Sequence, residues 1–157
     1  MADNSRIAWH QGFYGALEIE LRANKEQLTF TPEWQLSKEP MRVDMLVVEK
    51  TPDVIIENEI GSIFRRHNLF EYKSPEDSLS IDEFYKAVGY VFLYKATADH
   101  VDGRPLDEMT LSLVRDVPPE KLFRALEAQG FTIKEAKPGV YYVEGSIWFP
   151  TQIIVTR

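Results

Sequence analysis

The segment Ser80-Ile81-Asp82-Glu83 carries serine at a helix-cap position and glutamate three residues later, just ahead of an apolar run. That spacing satisfies amide donors at a helix start. It predicts a helix running to about Ala98, with Phe84, Ala87, Val88 and Val91 among its apolar residues. Runs that read as strands stand on both sides, Asn68 to Lys73 before it and Met109 to Val114 after it. A helix bracketed in this way commits the chain to a layered α/β arrangement.

The other elements follow from the same periodicities. Trp9 to Asn24 reads as an amphipathic helix, with Trp9, Phe13, Ala16, Leu17 and Glu20 on one stripe. Leu28 to Leu36 alternates as a strand does, with an interruption at Pro32. Met41 to Glu49 is nearly continuous in apolar residues, which predicts an internal strand. Ile60 to Arg66 predicts one helical turn. Pro118-Pro119-Glu120 opens another helix that Gly130 ends. Phe131 to Glu135 and Val140 to Glu144 form a hairpin about Pro138-Gly139, and Ile147 to Phe149 and Gln152 to Thr156 are short strands. The expected architecture is a single α/β domain over residues 1–157. Its core covers about 9–115, with a mixed sheet and helices on both faces. An α/β extension with a small β tail covers about 116–157.

Composition narrows the function. A chain of 157 residues with no cysteine has room for a core but no disulfide framework and no thiolate zinc site. No run of 18 apolar residues is present, so no membrane span is expected, and the first residues lack the apolar core of a signal peptide. The cytoplasm is the expected location. A net charge of −7 argues against a broadly basic nucleic-acid binder. It leaves room for a nuclease whose metal and local cations offset the global balance.

Glu71-Tyr72-Lys73 closes the strand ahead of the capped helix, and a turn, Ser74-Pro75-Glu76-Asp77, follows it. Strand alternation puts Glu71 and Lys73 on one face. Asp44, at the start of the preceding strand, supplies a second acid. Glu20 supplies a third, on the apolar stripe of the first helix, where a carboxylate is costly unless paired or metal-bound. Glu18 competes for that place but sits nearer the solvent edge. Two acids that hold a divalent cation, with a lysine beside the attacking water, suit metal-assisted phosphodiester cleavage. Each residue also has a plainer explanation. Glu-x-Lys alone is a common surface ion pair worth roughly 0–1 kcal/mol, and a lone strand aspartate is commonly satisfied by nearby amides or by a neighbour such as Arg42.

The order Glu20, Asp44, Glu71-x-Lys73 within α-β-β-β-α-β resembles the PD-(D/E)XK nuclease superfamily, which has a restriction-endonuclease-like fold and includes stand-alone bacterial domains. The resemblance covers about residues 9–115. It implies that Asp44, Glu71 and Glu20, with the carbonyl of Tyr72, bind Mg2+ or Mn2+, and that Lys73 positions or activates the water. The family's proline before the first acid is replaced here by Val43.

Lys73 at a strand end is expected to be exposed, so that its loss would cost little stability. Arg65-Arg66-His67 could grip a phosphate and Tyr90 could stack a base, although a solvated turn and core packing explain these residues as well. The three histidines show no spacing that suggests a shared metal site. The leading expectation is a metal-dependent nuclease acting on nucleic acid, DNA in the first instance. A homodimer or partner protein would supply the recognition surface that so short a chain lacks. The rival is a catalytically silent domain of the same fold that serves protein interaction or regulation, which the acidic balance favours.

Overall fold

The computed structural model describes residues 11–13, 15, 16, 18–30 and 45–156, the side chain of residue 25 excepted. The chain divides into two units, Met1–Arg42 and Val43–Arg157. In the first, the described residues between 11 and 20 are helical. A 3-10 helix, Arg22–Gln27, follows, broken at Asn24 where φ is −114°. The expected inward stripe is not seen in the residues that can be followed, since Phe13, Ala16 and Glu20 are exposed. Leu28, Thr29 and Phe30 form no strand, and the remainder of the strand expected to Leu36 lies outside the described residues.

The described residues of the second unit form six strands: β1 (Leu46–Glu49), β2 (His67–Lys73), β3 (Met109–Arg115), β4 (Thr132–Lys137), β5 (Val140–Glu144) and β6 (Thr151–Val155). They form one mixed sheet in the order β1-β2-β3-β6-β5-β4. β2–β3 and β3–β6 pair parallel, whereas β1–β2, β4–β5 and β5–β6 pair antiparallel. The unit's described residues also form two α-helices, α1 (Ile81–Ala96) and α2 (Glu120–Ala128), and short 3-10 helices at Glu59–Gly61 and Leu106–Glu108. Among the described residues no helix is long and apolar enough to cross a membrane.

One face of the sheet is apolar. Leu69, Leu111, Leu113 and Ile153 pack with Phe84, Ala87 and Val91 of α1 and with Leu122, Phe123 and Leu126 of α2 in a single core. The two helices touch each other. They therefore share this face. The other face is lined with polar residues of zero exposure, Asn68, Thr110, Ser112 and Gln152. These bond across strand pairs, Thr110 Oγ1 to Asn68 Oδ1 at 2.7 Å and Gln152 Nε2 to Ser112 Oγ at 2.9 Å. The segment ahead of β2 covers them, because Gln152 Nε2 donates to the Ile60 carbonyl and the Arg65 amide donates to Asn68 Oδ1. A buried polar row is tolerable when its donors and acceptors find partners in this way, and here Gln152 Oε1 is the exception, buried without one.

Three further expectations change. Met41 to Glu49 read as an internal strand, but β1 begins at Leu46, and among the described residues it forms the sheet edge, with Leu46 63% exposed. Ile147 to Phe149 forms no strand. The C-terminal strands are not a tail: β6 sits between β3 and β5 and is buried along its whole length.

Candidate active site

α1 runs back along β2. Its capped start lies near the strand's end, and Tyr94 near its finish meets His67 at the strand's beginning. The Ser80 hydroxyl accepts the Glu83 amide at 3.2 Å, which is half of the predicted capping box. The Glu83 carboxylate makes a different contact: its Oε2 lies 2.7 Å from Lys73 Nζ. Glu71, two residues before Lys73 on the same face, brings Oε1 to 3.1 Å from that nitrogen. Lys73 is therefore held between two carboxylates.

The side chains of Glu71, Lys73 and Glu83 are only 12%, 17% and 27% exposed, so this is a shielded cluster and not a surface pair. The expectation that Lys73 is exposed is corrected here. Burial alone would lower the Lys73 pKa, but the hydrogen bonds and negative charge of Glu83 and Glu71 outweigh it and hold the group above its ordinary value. The bond from Lys73 in turn pulls Glu83 below the ordinary carboxylate range. At neutral pH, Lys73 is an ammonium that donates hydrogen bonds and cannot take up a proton. The other Glu71 oxygen, Oε2, is buried and has no hydrogen-bond partner. A buried acceptor left in this state costs about 1–3 kcal/mol, more when charged.

Tyr72 is 62% exposed, and its position in the alternation puts its side chain on the opposite face from Glu71. Glu20 is exposed and belongs to the first unit, and Asp44 lies outside the described residues. Among the described residues no group of three or more histidine, aspartate or glutamate side chains is arranged to hold a metal. Arg65, Arg66 and His67 lie at the opposite end of β2, His67 about 20 Å along the strand from Lys73. Arg65 Nη1 donates to the Asp107 carbonyl at 2.6 Å, and Arg66 Nη1 is 3.8 Å from Glu108 Oε2. His67 is buried. Its Nδ1 lies 3.0 Å from Tyr94 Oη and 3.5 Å from Glu49 Oε1, and burial lowers its pKa although Glu49 opposes the shift. Arg104 stacks over the Tyr94 ring at 4.0 Å. Tyr90 is half-buried on α1.

Sequence reasoning missed two residues here. Glu83 was accounted for by its capping role alone. The available signal was the short connection from Lys73 to Ser80, which returns the first turn of the helix to the strand's end. Arg115 was not singled out, yet it pairs with Lys73 across the parallel β2–β3 ladder. A scan against protein-family models finds no match to this chain, and searches of curated proteins and of solved structures find none either.

Proposed function

We propose that this chain is a metal-dependent nuclease of the PD-(D/E)XK type that hydrolyses phosphodiester bonds of DNA in the cytoplasm. The observation that carries the reading is Glu71, a shielded carboxylate with one oxygen tied to Lys73 and the other buried without a partner. A hard oxygen donor in that condition suits Mg2+ or Mn2+. Glu71 and the Tyr72 carbonyl would be ligands of the ion, together with the Asp44 that the resemblance implies. When bound, it would supply a polarised phosphate and a water of lowered pKa. Lys73, kept as an ammonium, donates to the attacking oxygen or the scissile phosphate and stabilises charge that grows in the transition state. Glu83 positions Lys73.

Glu71 shares its sheet face with Val47 and Glu49, the odd-numbered residues of β1.

The two carboxylates around Lys73 also favour a second reading, in which the cluster is a structural clamp in a catalytically silent domain that serves protein interaction or regulation. One pair of measurements separates the two. Calorimetry with Mn2+ and Mg2+ is run on the wild type and on Glu71→Gln, which keeps the shape and removes the charge. The same proteins are assayed on linear, nicked, branched and single-stranded DNA and on RNA. The nuclease reading expects metal binding and cutting in the wild type and the loss of both in Glu71→Gln. A wild type that neither binds metal nor cuts any substrate leaves the clamp reading standing.

A further inference from the structure

The loops that leave the C-terminal ends of the neighbouring parallel strands β2 and β3 enclose a cleft of about 560 Å³. One wall is Pro75 to Ser80. The other holds Arg115, Lys121 and Arg124. Arg115 decides what the cleft can accept. Its Nε is buried and has no hydrogen-bond partner, and a guanidinium offers donors only, in a planar fork that fits phosphate and carboxylate oxygens. A buried donor without an acceptor is costly, and an oxyanion removes the cost. Three acids, Glu76, Asp77 and Glu120, also line the space. Asp77 already accepts from the Ser74 hydroxyl at 2.8 Å, which holds its pKa low and turns its charge onto the loop. The crevice outside the carboxyl ends of parallel strands is where open α/β sheets commonly bind ligands.

Lys73 and Arg115 are register partners. They share a sheet face and lie one strand spacing apart, about 4.8 Å, which is of the order of one nucleotide step along a strand. We propose that this cleft binds the phosphate next to the scissile one, with Arg115 as its main ligand and Lys121 and Arg124 as flanking cations. The proposal rests on the nuclease reading for the identity of the ligand. It commits the substrate to a phosphodiester strand that runs across the ends of β2 and β3.

The test is anisotropy of a labelled single-stranded oligonucleotide in EDTA, where no metal-dependent cutting occurs, with titrations at several salt concentrations. Wild type is compared with Arg115→Gln and with Lys121→Gln/Arg124→Gln, whose positions are exposed on α2 and which keeps the test open if Arg115→Gln does not fold. Both variants are expected to bind roughly ten-fold more weakly or worse, and the salt slope should fall by about one per lost phosphate contact. A deoxynucleoside monophosphate titrated as competitor separates the two sources of phosphate, because a strand site is displaced by the oligonucleotide far better than by the mononucleotide. Equal competition by both overturns the strand assignment. Binding by wild type and the double variant with the same affinity and salt slope overturns the cleft, even if the protein cuts DNA. Binding that the variants lose, in a protein that never cuts, upholds the cleft and refutes the nuclease reading.

Discussion

Replacing Lys73 with alanine removes the cation between two shielded carboxylates. At 2.7 and 3.1 Å with an effective dielectric constant near 20, each attraction is about 5–6 kcal/mol gross. Most of this is offset by the cost of withdrawing the charges from water. A hydrogen bond to a charged group retains about 1.5–3 kcal/mol. Lys73 makes two, and the partial exposure of Glu83 discounts one of them. The expected loss is therefore about 2–4 kcal/mol at pH 7, a shift of roughly 1 M or more in the urea midpoint. The loss must also depend on pH. Glu83 has a depressed folded pKa, so its contribution is present above the ordinary value near 4.3 and disappears as pH falls through the folded value. Lys73 has a raised folded pKa, so its contribution is present below about 10.4 and disappears as pH rises through the folded value. The gap between wild type and variant should be widest between about pH 5 and pH 10 and should narrow as pH falls well below the ordinary carboxylate value. Urea denaturation at about pH 7 and about pH 3 checks this. A midpoint unchanged at pH 7, or an equal loss at both pH values, would refute the clamp around Lys73.

Three other outcomes follow from the fold. Because burial lowers the His67 pKa, the unfolded chain takes up its proton first on acidification; stability should decline as pH falls through about 6.5, and in His67→Gln denaturation curves should show that decline flattened. Asn68 accepts from the Arg65 amide and the Thr110 hydroxyl and donates to the Val48 and Arg65 carbonyls. Asn68→Asp keeps the shape but turns two donors into acceptors, so a loss of about 3 kcal/mol or more is expected by urea titration. Gly139 has φ of +76°, and an added Cβ would stand 2.6 Å from the Val155 carbonyl oxygen. Gly139→Ala should cost about 2 kcal/mol or more, and hydrogen exchange of the Val155 amide, which donates to the Gly139 carbonyl at 2.7 Å, should accelerate.

The sequence alone determined what short-range chemistry controls. Ser80 caps α1, Gly130 takes a positive φ just past α2, and Pro138-Gly139 turns the hairpin between β4 and β5. The alternation in β2 also put Glu71 and Lys73 on one face. These signals were readable because each is completed within a few residues by capping, by backbone sterics or by the pleat. Only the tertiary structure decided what depended on partners far along the chain. Val-rich β1 read as internal because periodicity reports apolarity and not the number of neighbouring strands. β6 read as a tail because no local feature states that it will enter between β3 and β5, some 36 residues after β3 ends. The two helices share a face because the other face is closed by polar side chains and the segment from Asn58 to Arg65, a pattern that resembles surface polarity in one dimension. In the site, the sequence supplied the glutamate and the lysine. The fold supplied Glu83 and Arg115, since the charge state of Lys73 and the unpaired donor of Arg115 arise only when strand ends and helix starts come together away from water.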